Sequence, residues 1–159
     1  MGYSFLMNML PRLSGWFLLT VTLALFGCAN AGGGAKSLKN VQKVYVADPV
    51  AATLPETTAL NAAVHDVAVR ELSALGYGSA LTSQQADAVL KSTWHTRLDD
   101  NGRSIVSLSV TLFDKAGHKL YSSDSGAAVV SSFWSESRVT TELATMLGTL
   151  PHAGGDATK

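Results

Sequence analysis

Ala88-Val89-Leu90-Lys91-Ser92-Thr93-Trp94-His95-Thr96-Arg97-Leu98 runs into Asp99-Asp100-Asn101-Gly102, and Ser104-Ile105-Val106-Ser107-Leu108-Ser109-Val110-Thr111-Leu112-Phe113 follows. Alternation in the first segment puts Leu90, Trp94 and Leu98 on one face of a strand and Lys91, His95 and Arg97 on the other. In the second segment Val106, Leu108, Val110 and Leu112 point one way, and their neighbours are mostly Ser and Thr. Asn101-Gly102 accepts the positive φ angles of a tight turn, so the two strands form a hairpin. A hairpin with one apolar and one polar face needs a covering layer on the apolar side only.

On the amino-terminal side, Val41 to Ala47 alternates as a first strand and stops at Asp48-Pro49. Thr53 and Glu56 have capping-box spacing, with Pro55 tolerated in a first turn. Leu60, Val64, Val67, Ala68, Leu72 and Leu75 form one stripe, and Gly76 stands where a C-terminal cap belongs, so the spacing predicts a helix over 54–75. A short edge strand at 77–81 and a turn, or a single helical turn, at 83–87 lead into the hairpin. On the carboxyl-terminal side, Asp114-Lys115-Ala116-Gly117 turns the chain into a strand over 118–125, which resumes through 127–130 after a kink at Gly126. Val139, Leu143, Met146, Leu147 and Leu150 make the stripe of a last helix, starting at 133 or 136 and ended by Pro151.

The order β-α-β-β-β-α defines an α+β two-layer sandwich: a mainly antiparallel sheet with two helices on one face. The organisation expected is a leader at 1–27, a flexible tether at 28–40, the α+β domain at 41–150 and a disordered tail at 151–159. Two surfaces are candidates for partner contact. Phe133-Trp134 is an aromatic anchor if exposed; otherwise it packs under the last helix. Ser107, Ser109, Thr111 and Ser123 mark a polar outer sheet face, either a contact surface or a plain solvated one.

The leader reading rests on Trp16 to Phe26, an apolar run broken only by threonines and preceded by Arg12. The run is too short to span a membrane, which takes about 20 apolar residues, and it fits a signal-peptide core of about 7–15. A start at Met7 or Met9 brings Arg12 close to the amino terminus. Leu25-Phe26-Gly27-Cys28 resembles the bacterial lipobox, with Phe26 bulkier than the usual occupant. That resemblance implies cleavage between Gly27 and Cys28 and acyl chains on the Cys28 thiol, so that the membrane is a partner through those chains. Several chains anchor stably where one binds only marginally. An ordinary signal peptide cut nearby and an uncleaved anchor are the alternatives. Ala29 after the cysteine, by analogy with sorting in enteric bacteria, favours the outer membrane over the inner.

Composition narrows the chemistry. Lys+Arg and Asp+Glu balance at 12 each, with no clustered basic run, so no nucleic-acid partner is expected. Cys28 is the single cysteine, which leaves no intramolecular disulfide and no cysteine-based metal cluster. The triple glycine at 32–34 precedes no Gly-Lys-Ser/Thr and reads as tether. His65, His95, His118 and His152 are widely spaced, without His-Glu-x-x-His, and read as surface residues. Asp99-Asp100 read as turn residues, not as paired catalytic carboxylates. No Gly-x-Ser-x-Gly is present. The expectation is a protein that is not an enzyme, with no catalytic residue, cofactor or metal.

The mature segment also resembles a broad group of small bacterial envelope lipoproteins. The residues that carry the likeness are Glu71-Leu72-Ser73-Ala74-Leu75-Gly76-Tyr77, Ala86-Asp87-Ala88-Val89-Leu90, and Leu112-Phe113-Asp114-Lys115-Ala116-Gly117-His118-Lys119-Leu120-Tyr121-Ser122. That group is similar in layout to the amino-terminal domain of TolB and to lipoproteins of curli export and of peptidoglycan-synthase activation. The resemblance implies an envelope adaptor or assembly factor with an envelope protein partner, anchored on the periplasmic face of the outer membrane. Binding of a small molecule or glycan is the alternative, and a hydrolase with dispersed catalytic residues comes last.

Overall fold

The computed structural model describes residues 38–50 and 54–154. The hairpin is as its alternation dictates: β3 (Ala88–Leu98) pairs antiparallel with β4 (Ser104–Asp114) through an unbroken register from Ala88↔Asp114 to Leu98↔Ser104. Gly102 takes φ +74° in the turn. Asp99 locks that turn by accepting from the amides of Asn101 (2.9 Å) and Arg103 (2.8 Å).

Around this hairpin the sheet has six strands. β1 is Lys43–Val46, β2 Gly78–Ser79, β5 Lys119–Asp124 and β6 Val129–Val130. The order is β2-β1-β3-β4-β5, with β6 on β4 beyond β5. It is an open sheet, mostly antiparallel, as expected. The correction to a pure meander lies at β1, which runs parallel to both β2 and β3. A strand of four residues carries its alternation but no mark of direction. The crossover through helices, not a hairpin turn, sets that direction.

The expected helix over 54–75 is two helices: α1, Pro55–Ala59, and α2, Asn61–Ala74, separated at Leu60. Leu54 precedes α1 without a side-chain cap, Pro55 opens it, and the expected cap Thr53 lies outside the described residues. Thr57 and Thr58 instead donate their hydroxyls to the Leu54 carbonyl, at 2.8 and 3.2 Å. The last helix, α3, is Glu136–Leu147, capped by Ser135 accepting from the Arg138 amide.

Val64, Val67, Ala68 and Leu72 of α2 and Val139, Leu143, Met146 and Leu147 of α3 share one core with Leu90, Trp94, Val106, Leu108, Val110 and Leu112 of the hairpin. Both long helices therefore cover the apolar face, and among the described residues no helix covers the other, the open face. Between β5 and β6 the chain bulges, and Ser125 holds the register: its amide donates to the Leu108 carbonyl and its hydroxyl accepts from the Leu108 amide.

Two expected boundaries move. Leu38 and Val41 are buried in the core, and the Val41 amide donates to the Leu38 carbonyl. The domain therefore begins by residue 38, inside the stretch expected to be tether. The tail expected to be disordered from 151 is docked as far as Ala153. Tyr77 donates its hydroxyl to the Pro151 carbonyl at 2.8 Å, and the Ala153 amide donates to the Leu75 carbonyl. Burial holds the Tyr77 phenol above its usual pKa, which keeps it a donor.

Candidate functional site

Two surfaces carry the polar side chains that a function could use. The first is the open sheet face. His95 bonds Ser109 there (Nε2 to Oγ, 2.7 Å), Thr111 bonds Ser122 (3.2 Å), and the Lys91 amine lies 5.3 Å from the centre of the Phe113 ring. Ser107, Ser109 and Thr111 are on this face as expected. Ser123 is not. It pairs with Val110 and so faces the helices, while Ser122 and Asp124 face outward beside Thr111 and Ser109. The cause is a register shift at Leu112/Phe113, which makes Leu120 an extra, buried residue and resets the alternation of β5. Asp124 is the cross-strand neighbour of Ser109 and not of His95. A Ser-His-Asp relay needs its carboxylate on the far side of the imidazole. Among the described residues no carboxylate pairs with His95.

The second surface is a groove of about 610 Å³ at the end of the sheet where β1 begins. Asn40, Asp87, Asp114, Lys115, His118 and Lys119 line it. Asp87 accepts from the amides of Gln42 (3.1 Å) and Lys43 (3.0 Å), and the Lys115 amine lies 3.7 Å from its other oxygen. Asp114 accepts from the amides of Ala116 and His118, both at 2.8 Å, and His118 Nδ1 lies 3.1 Å from its second oxygen. Those backbone amides hold both carboxyls below their ordinary pKa. Each carboxylate is thus committed as an acceptor, Asp114 fixing its own turn and Asp87 holding the start of β1, which suits it poorly to act as a base. Among the described residues Lys115 is paired with Asp87, which leaves the Lys119 amine to meet a ligand. Sequence reasoning missed this groove. Asp114 to His118 registers in the sequence only as a turn, and nothing in it brings Asp87 alongside.

The other expected residues divide. Gly27 and Cys28 lie outside the described residues. Trp134 is buried, at 7% exposure, so of the aromatic pair it packs inside while Phe133 stands 67% exposed. His65 bonds Asp66 on the surface of α2 at 3.3 Å. Asp99 serves its turn and pairs with Arg103 at 2.7 Å, as expected of a turn aspartate. Among the described residues no group of three or more His, Cys, Asp or Glu is placed to hold a metal, and no helix is long and apolar enough to cross a membrane.

These features define a small α+β domain with a one-sided helical layer over an open sheet. Solved structures are similar to it. A PelC Leu103Met dodecamer from Paraburkholderia phytofirmans matches with a TM-score of 0.50 at 20% identity, over 74% of this chain and 90% of that one. A second PelC dodecamer structure from the same organism matches at 0.47 and 23% identity, over 70% and 89%. Lipoprotein GNA1162 from Neisseria meningitidis matches at 0.41 and 17% identity, over 67% and 95%. No family model matches the chain, and no curated protein sequence does.

Proposed function

We propose that this chain is a lipid-anchored, periplasm-facing adaptor or assembly factor of the bacterial cell envelope, held at the outer membrane through acyl chains on Cys28 and without enzymatic activity. The observation that carries the reading is the open sheet face. The helices cover one side only, and the other presents Ser, Thr, His and Lys side chains across β3, β4 and β5 on a flat, rigid support. A flat polar face matches the polar, water-tolerant character of non-obligate protein interfaces. The leader, the lipobox and the early entry into the core at Leu38 support a reading in which the domain is held close to a membrane. A protein of this fold was solved as a dodecamer, which makes a second copy of the chain the first partner to test.

The test pairs wild type with Cys28→Ala. Intact mass reports the acyl chains, and crosslinking in membranes followed by purification reports the partner. Acyl mass on Cys28 together with a reproducible crosslinked envelope component supports the reading. An unacylated protein that crosslinks to nothing overturns it.

The groove favours a second reading, a binder of small anionic molecules or glycans, because Lys115, His118 and Lys119 converge on one shallow depression. Titration calorimetry with such ligands separates the two readings.

A further inference from the structure

The lysines are not spread over the domain. Lys43 opens β1, Lys115 sits in the turn after β4, and Lys119 opens β5. The pairs Val44↔Ala88, Ala88↔Asp114 and Phe113↔Lys119 put all three at one end of the sheet. Lys39, in the turn before β1, belongs to the same end. Lys91 lies three residues further in, over Phe113. Among the described residues the acidic groups at this end are Asp87 and Asp114, both bound to backbone amides, and Glu71 in the last turn of α2, which pairs with Arg70 at 3.1 Å. Among the described residues the opposite end, around the β3–β4 turn, carries no lysine, and its Arg97 and Arg103 are balanced by Asp99, which pairs with Arg103, and by Asp100. Charge that balances over the whole chain is therefore polarised along the sheet.

Three further features mark the lysine end. The loop between β2 and β3 leaves this end through Ala80, whose amide donates to the Val44 carbonyl, and then comes back to it. That loop packs its short 3₁₀ turn, Ser83–Gln85, against β1 and returns through Asp87, whose amide donates to the Lys43 carbonyl. α2 also ends here, but its last carbonyls are taken by the amides of Gly76, Tyr77 and Ala153. They leave little exposed partial negative charge to repel an anion. Finally, this is the end at which the chain enters the domain. Nine residues lie between Cys28 and Leu38, so the ten steps from one to the other reach at most about 35 Å when fully extended.

We infer that this end of the domain docks on an anionic membrane surface, with Lys43, Lys115 and Lys119 against lipid phosphates. The inference rests on the acyl-anchor reading for its geometry, since an anchor at Cys28 delivers this end to the bilayer first. Each lysine within a Debye length of an anionic surface strengthens binding by about five-fold. Three together make a contact of about a hundred-fold, lost when salt shortens that length to about 3 Å near 1 M. Docking would also orient the open sheet face across the membrane normal, leaving it free for a partner.

The experiment uses full-length protein purified from membranes with the amino terminus it carries there. It is reconstituted on vesicles of phosphatidylcholine alone or of phosphatidylcholine with phosphatidylglycerol. A membrane-impermeant amine-acylating reagent then labels lysines, and mass spectrometry reads the rate at each. Lys43, Lys115 and Lys119 should label several-fold more slowly on the anionic vesicles at low salt, and equally on both at high salt. The double variant Lys115→Gln/Lys119→Gln should restore fast labelling of Lys43. The double variant Arg97→Gln/Arg103→Gln, at the other end, should not. Equal labelling on both vesicle types at low salt overturns the inference. So does protection that survives high salt, or protection abolished by the arginine pair. Retention of the protein on vesicles through a high-salt wash reports the acyl anchor separately, so failure of the anchor and failure of docking read differently.

Discussion

The indole of Trp94 in β3 meets that of Trp134, between β6 and α3, edge to face, with ring centres 4.8 Å apart and planes at 89°. Each indole N–H has a fixed partner. Trp94 donates to the Asn61 side chain at the start of α2 (3.0 Å), and Trp134 to the Val106 carbonyl in β4 (3.2 Å). Arg138 of α3 lies 5.4 Å from the Trp134 ring centre. The pair thus ties the first turn of α2 and the approach to α3 onto the hairpin. Trp134→Ala removes the ring from a filled site and should cost about 3–5 kcal/mol of stability, measured by urea denaturation. A cost below about 1 kcal/mol would mean that the site collapses and that the pair does not hold the layers together.

Phe133 makes the opposite prediction from the adjacent position. It stands exposed, so Phe133→Ala should change stability by no more than about 0.5 kcal/mol. If the exposed ring is a partner anchor, the same variant should lose most of the crosslinked product seen with wild type in membranes. Unchanged crosslinking would remove Phe133 from the interface while leaving the open sheet face as a candidate.

Ser92 is buried against the helices opposite Val110, and its hydroxyl has no hydrogen-bond partner among the described residues. A buried, unpaired hydroxyl costs about 1–3 kcal/mol in desolvation. Ser92→Ala deletes it with little change in volume and should stabilise the fold by about 1 kcal/mol, or several degrees in Tm. A lower Tm would contradict the unpaired state of this hydroxyl.

The stretch from Ala88 to Phe113 was legible because its alternation is long and its turn chemistry specific, and α3 because its stripe is bounded by Ser135 and Pro151. What misled was short or non-local. The stripe from Leu60 to Leu75 runs on in register with Glu56 and Pro55, so it gives no sign that the helix breaks at Leu60. β1 and β2 are too short to declare a parallel pairing. Ser123 faces inward because of a one-residue bulge at Leu120, and a single extra residue leaves no trace in composition. The groove joins Asp87 to Lys115 across separate loops, so its residues meet only once the strands are paired.

Asp87 links pH to stability at the start of β1. Its carboxyl accepts from the Lys43 and Gln42 amides, which lower its pKa below the ordinary 3.8, with a smaller contribution from Lys115. A folded-state pKa below the unfolded one means that the unfolded chain binds more protons between the two values. Stability from this group is therefore complete above the ordinary value and is lost as pH falls through the lowered one. Asp99 and Asp114 are held low in the same direction by turn amides. Unfolding free energy should thus fall as pH drops below about 4, and Asp87→Asn should flatten that fall while lowering stability at neutral pH. An identical slope in wild type and variant would show that Asp87 contributes nothing to acid sensitivity.

Gly76 closes α2 in the left-handed region, at φ +87°. Its amide donates to the Ser73 carbonyl and the next amide, Tyr77, to that of Leu72. This pair of bonds defines a Schellman cap. A Cβ at Gly76 would meet only the Ala153 side chain, at 3.6 Å, which is ordinary contact, so conformation and not crowding sets the cost of a side chain there. Gly76→Ala should destabilise by about 1–2 kcal/mol and Gly76→Asn by less, because asparagine tolerates this region. Gly126, in the bulge before β6, has open space around a Cβ and no positive φ. Gly126→Ala should therefore be neutral or stabilising by a few tenths of a kcal/mol, through loss of unfolded-state freedom. Chemical denaturation of the three variants checks the order Gly76→Ala, Gly76→Asn, Gly126→Ala from most to least costly. Equal costs for the two alanine variants would mean that the left-handed cap is not what turns the chain from α2 into β2.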